Sequence, residues 1–174
     1  MTKFLTAATL MTALTTPFVA WGHGESHDKK VERKKAHLYE ETAFGRPGEA
    51  KNVSRTIRIS GTDNMRFTPD TLQVRQGETV RLLVKNDGKI MHETVIGSMK
   101  ELNEHYELMK KFPDMEHDEP HMIHLKPGES GEIVWQFTKA GNFHFACLIP
   151  GHLEAGMSGK IAVLPQKQAK SKAQ

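Results

Sequence analysis

The chain has 174 residues, with 24 basic against 21 acidic side chains, a formal net charge of +3 and a single cysteine. That length suits one domain, the small charge carries no nucleic-acid footprint, and one cysteine excludes an internal disulfide. In chain order, Lys3 precedes an apolar run from Phe4 to Leu14, and small residues follow at Ala20 and Gly22. This is the pattern of an export signal over residues 1–22. The run is too short and too rich in Thr to span a bilayer, which takes about 20 mostly apolar residues. No stable membrane association is expected.

Residues 23–52 read as a flexible His/Lys-rich segment. His23, His27 and His37 lie in it, and a cut near residue 22 would place His23 at or near a free amine, where it could capture Cu(II) together with His27. Binding by such a segment carries the entropic cost of ordering it. Strand patterns begin at Ser54–Ser60 and continue through Leu72–Arg75 and Thr79–Lys85, separated by turn residues. From Ser98 to His124 the β pattern stops. Met99, Leu102, Tyr106, Met109 and Phe112 recur at three- and four-residue spacing, which predicts an amphipathic helix ending before Pro113. Met99 and Met109 are expected as gap-filling core. After it, Met115 to His124 gathers three histidines and two methionines among acids. Thioethers with imidazoles suit Cu(I), and imidazoles with carboxylates suit Cu(II), so His117, His121, Met122 and His124 are candidates for a second copper site. The alternative is a polar loop whose histidines bind nothing.

Lys126–Gly131 reads as a turn, Glu132–Thr138 as a strand with Trp135 in the core, and Gly141–Cys147 as a half-buried strand. In that last strand Phe143, Phe145 and Cys147 share one face, which leaves His144 on the other as a surface residue. Ser158–Leu164 is the final strand, and Lys167, Lys170 and Lys172 belong to a solvated basic tail over 166–174. Between the last two strands, Cys147, His152 and Met157 stand five residues apart in one short loop. A thiolate, an imidazole and a thioether converging on one point suit a copper ion cycling between Cu(I) and Cu(II). Such a set needs a second imidazole from another strand end, and His92, after Val80–Asn86 and the Asp87–Gly88 turn, supplies it.

With these residues the chain resembles the cupredoxins, the small blue-copper β-sandwiches, whose ligand order is an upstream His followed by a Cys…His…Met loop. The likeness runs from about Val53 to Leu164. It includes Phe67–Val80 as an early strand pair, with Pro69 starting a strand and Gly77 turning into the next, and Phe137–Cys147 as the penultimate hairpin. The nearest likeness is to periplasmic cupredoxins of bacterial copper tolerance, on His92–Gly97, the Met/His-rich insertion and the His-rich start. One departure is visible. Many members carry Asn directly after the first ligand histidine, where its amide helps tie the two ligand loops; here Glu93 stands there.

The resemblance implies an all-β Greek-key sandwich over 53–165 with a helical Met/His-rich insertion at 98–124. It implies copper ligated by His92, Cys147, His152 and Met157. It also implies a monomeric periplasmic protein exchanging single electrons with a redox partner, such as a cytochrome or a multicopper oxidase, and serving copper tolerance. Copper sequestration or delivery is the alternative. An enzyme is not expected, beyond slow oxidation of Cu(I).

Overall fold

A computed structural model describes residues 41–112 and 118–166. The export signal, the segment with His23, His27 and His37, the tail from 167, and Met115 and His117 lie outside the described residues.

Short, alternating strands bury one face each and so need a second sheet to cover it. The first sheet sets side by side β1 (Arg46–Pro47), β8 (Ser130–Gln136), β5 (Thr79–Asn86), β2 (Arg55–Thr62) and β3 (Arg66–Thr68). The second sets β4 (Thr71–Arg75), β10 (Ser158–Leu164), β9 (Gly141–Ala146), β6 (His92–Gly97) and β7 (Met122–Leu125) in that order. Pairing is antiparallel except where β2 runs beside β5 and β4 beside β10. Ile59, Val80, Leu82, Ile133, Trp135, Phe137, Phe145 and Ile161 fill the space between the sheets, each almost wholly buried. The all-β sandwich with a helical insertion is thus the architecture observed.

The helix α1 (Met99–Lys111) begins at a reciprocal cap. Ser98 Oγ accepts from the Glu101 N–H, and the Glu101 carboxylate accepts from the Ser98 N–H at 2.9 Å. Lys110 and Lys111 occupy its last turn, where cations suit the helix dipole. Its buried face is Leu102, Tyr106 and Met109, which pack on Val95, Met122, Ala146 and Leu148 to form a second, smaller core on the outer face of the second sheet. Met109 is gap-filling core as expected; Met99 and Phe112 are instead exposed.

Three expectations about element limits are corrected. The flexible segment expected as far as residue 52 does not include 41–52. Phe44 is buried and stacks on Trp135 with ring centroids 5.1 Å apart, β1 pairs with β8, and Ala50–Asn52 form a 3-10 turn. The insertion expected over 98–124 yields before its end, because Met122–Leu125 pairs with β6 as an edge strand. Pro69 follows a cis Thr68–Pro69 bond in the connection between β3 and β4, so it precedes the strand it was expected to start.

Candidate metal centre

Three ligand-type atoms meet at one end of the sandwich. The ring nitrogens of His92 and His152 and the thiol of Cys147 lie within 4.8 Å of one another, the one such group of His, Cys, Asp and Glu among the described residues. Cys147 comes directly after β9, whose alternation points Phe143, Phe145 and Cys147 inward. Its Sγ is 3.2 Å from His152 Nδ1. His92 is the first residue of β6, and its ring lies 5.2 Å from that of His152, centroid to centroid. Met157 is fully buried where the loop closes: its N–H donates to the His152 carbonyl at 2.9 Å, and its carbonyl accepts the Cys147 N–H at 3.0 Å. A Cβ on Gly61 would stand 3.1 Å from Met157 Cε, so a glycine in β2 leaves the room its thioether arm takes.

The donor set fits a soft-to-borderline cation. Asp63 Oδ1 lies 3.1 Å from His92 Nε2, so with Nε2 protonated and donating, the lone pair is on Nδ1. That Nδ1 is buried and has no hydrogen-bond partner, a condition that a native interior rarely tolerates without a ligand. Asp63 in turn accepts the Lys89 N–H at 2.8 Å, and that hydrogen bond is the main cause holding its carboxyl below the usual value. Gly88 is required for the approach, because a Cβ there would collide with the Asp63 carboxylate. Burial pushes the Cys147 thiol up to about 12, so a metal ion must displace its proton on binding. Burial, followed by the nearby His92, holds His152 below its ordinary value, which keeps it a neutral lone-pair donor.

The ligand loop is fastened from two sides. On the helix side, the Gly151 N–H donates to Tyr106 Oη at 3.0 Å and to Glu154 Oε2 at 3.1 Å, while the Tyr106 hydroxyl donates to that same carboxylate. Gly151 sits at φ 90°, where a side chain would be strained. On the other side the Arg66 guanidinium, reaching from β3, donates to the Ala155 carbonyl at 2.7 Å. Glu93 joins the two ligand segments. Its N–H donates to Cys147 Sγ at 3.3 Å, and its side-chain Oε2 accepts the Leu148 N–H at 3.2 Å. Where many members of the family that the chain resembles use an amide, a carboxylate here ties the two ligand segments. Asp63, Tyr106, Glu154 and Arg66 carry no motif spacing to His92 or the loop, and a sequence offers no sign of their role.

The second copper site expected at His117, His121, Met122 and His124 is not assembled by its described members. His121 packs edge-on against Phe44 and Trp135, at 5.6 and 5.9 Å, and lines a cavity of about 140 Å³ with Glu101 and His105. Met122 is spent in the core beneath the helix. His124 Nε2 lies 3.2 Å from Glu93 Oε1, a charge contact poorly aligned for a hydrogen bond, and the Glu93 carboxylate holds His124 above its ordinary value. Strand alternation turns His121 to the opposite face from Met122 and His124, and of those two only His124 reaches the surface. His144, expected at the surface, is instead half-buried outside the ligand group, and burial holds it below its ordinary value.

Comparison with known proteins agrees with this geometry. The model of the copper-binding proteins of the plastocyanin/azurin family matches residues 53–164. A protein of Rubrivivax gelatinosus named copper-resistant cuproprotein CopI is 51% identical over 138 residues, covering 79% of this chain and 84% of that protein. A protein of the same name from Pseudomonas aeruginosa is 36% identical, over 71% of this chain and 83% of its own. Among solved structures, the dithionite-reduced auracyanin of Roseiflexus castenholzii superposes with a TM-score of 0.55 at 25% identity, over 65% of this chain and 99% of the auracyanin. Copper is accordingly the cofactor that this fold and donor set are built around, and the chain belongs to the plastocyanin/azurin family of copper-binding proteins.

Proposed function

We propose that the chain is a periplasmic type 1 copper protein that passes single electrons and serves copper tolerance, with His92 Nδ1, Cys147 Sγ, His152 Nδ1 and the Met157 thioether as its copper ligands. The observation that carries this reading is the buried, unpartnered Nδ1 of His92, grouped with the sulfur of Cys147 and the ring of His152. Copper, when bound, supplies a one-electron Cu(II)/Cu(I) couple whose potential depends on the axial ligand and on hydrogen bonds to the cysteine sulfur. The chain's own contribution is to hold the donors still. Asp63 fixes the His92 ring, the Glu93 N–H reaches Cys147 Sγ, and Tyr106 and Arg66 fasten the loop, so little has to move when the charge changes.

Access for an electron partner falls at His152. It is half-buried between partly exposed Ile149 and Leu153 and exposed Pro150, and the exposed Ile90 and Met91 lie in the segment leading to His92. A small apolar surface of this kind suits the brief contacts of redox partners. The names of the copper-resistance relatives support the role in tolerance. The export pattern of residues 1–22 supports the periplasm, and no described helix is long and apolar enough to cross a membrane. One described donor group of this kind favours electron carriage over substrate turnover.

The test is a Cu(II) titration of the mature protein beside its Cys147→Ser variant. An intense visible thiolate-to-copper absorption, present in the first and lost in the second, is the expected result. Its absence from the unaltered protein would leave a copper-sequestering sandwich as the better account.

A further inference from the structure

Glu93 is a charged side chain in the wrong place for an ordinary surface residue. It is 1% exposed, it lies in β6 between β9 and the edge strand β7, and its neighbours Val95, Ala146 and Leu148 form the apolar core under the helix. A carboxylate so placed is costly unless its oxygens are met by donors or a counter-charge. Both are present. Oε2 accepts the Leu148 N–H at 3.2 Å, and Oε1 stands 3.2 Å from Nε2 of His124. The main chain of the same residue donates to Cys147 Sγ, so Glu93 touches the cysteine, the residue after it and β7 together.

We propose that Glu93 is a positioning residue that locks Cys147 and Leu148 to the strand of His92, and that its buried carboxylate, balanced by His124, lowers the reduction potential of the copper site. The inference rests on the ligand reading given above. Two parts of the residue do separable work. The N–H and the acceptor oxygen set geometry, which a glutamine would also provide. The negative charge, buried in low dielectric beside the thiolate sulfur, favours the more highly charged Cu(II) over Cu(I), which a glutamine would not. His124, 37% exposed at its side chain, is the counter-cation in this arrangement and not a ligand of an accessory site.

The experiment compares unaltered protein, Glu93→Gln, Glu93→Ala and His124→Gln by three readouts. These are the visible spectrum and the reduction potential of the copper-loaded forms, and the amide exchange of Leu148 in the metal-free forms. Glu93→Gln should retain the thiolate absorption and slow Leu148 exchange while its potential rises. The expected rise is at least a tenfold change in the Cu(I) to Cu(II) ratio, about 59 mV for one electron. His124→Gln should move the potential the other way, because the carboxylate then lacks its counter-charge. Glu93→Ala should speed Leu148 exchange at least tenfold.

Equal potentials in Glu93→Gln and the unaltered protein would overturn the electrostatic part, and unchanged Leu148 exchange in Glu93→Ala would overturn the positioning part. If Glu93→Ala does not fold, Glu93→Gln beside Glu93→Leu carries the exchange comparison. A missing thiolate band in the unaltered protein would instead sink the ligand reading, and the exchange data on metal-free protein would still decide whether Glu93 locks the loop.

Discussion

Asp63 offers the cleanest test at the scale of single residues, because it touches His92 and no other ligand-type side chain. Replacing it with Ala should leave the fold intact, since the carboxylate is exposed, and free the His92 ring to rotate or change tautomer. Copper affinity should fall by about 10–100-fold, the usual cost of losing such a partner, as read by competition with a chelator of known affinity. An unchanged affinity would mean that packing alone aims the ring. Cys147, His152 and Met157 were legible in the sequence because one loop carries all three, so spacing alone brings them together. His92 was legible as the imidazole nearest a strand end. Asp63 was not, because it reaches His92 across 29 residues and between the two sheets, a contact that only the finished fold creates. Glu93 was visible as an oddity, but whether a carboxylate there breaks or makes the tie depends on where the Leu148 N–H points.

Among the elements, α1 does more than cover the sheet. Tyr106 belongs to its buried face yet ends at the ligand loop, so the helix braces the loop at Gly151 and Glu154, on either side of His152. Tyr106→Phe keeps the packing and removes the hydroxyl that the Gly151 N–H and the Glu154 carboxylate share. The variant should lose about 1 kcal/mol of stability in denaturant unfolding and exchange the Gly151 amide faster. If copper release also quickens, the helix is coupled to the site; if neither rate moves, the brace is idle. The helix itself was legible from the three- and four-residue recurrence of Leu102, Tyr106 and Met109. β6 was not recognised as a strand because all six of its residues are buried, which erases the two-residue alternation that marks a half-buried strand. β7 was hidden for a different reason. Its histidine and methionine sit among acids and read as a loop, and only pairing with β6 makes Met122–Leu125 extended.

For the molecule as a whole, His121 links stability to pH. It is packed against Phe44 and Trp135, and burial is the main cause that holds it below its ordinary value, opposed by Glu119, Glu101 and Glu93 and reinforced by His105. The unfolded chain takes up this proton at about 6.5 while the folded one resists it. Unfolding therefore binds a proton as the medium acidifies, and stability should fall as pH drops below about 6.5, levelling only once the folded imidazole is also charged. Denaturant midpoints above and below that value should differ less in His121→Phe than in the unaltered protein, and an equal slope in both would assign the effect to other groups. The same packing brings Phe44 into the core, which no pattern in 41–52 announced, since Phe44 is a lone aromatic in a polar stretch. β10 bears on how the molecule is made. It lies inside the second sheet between β4 and β9, and the loop that joins Cys147 to Met157 is shut by its first residues. A chain emerging from a ribosome therefore cannot join β4 to its sheet until β10 has come through. Completion of the second sheet thus waits on the last strand, however early β4 is made.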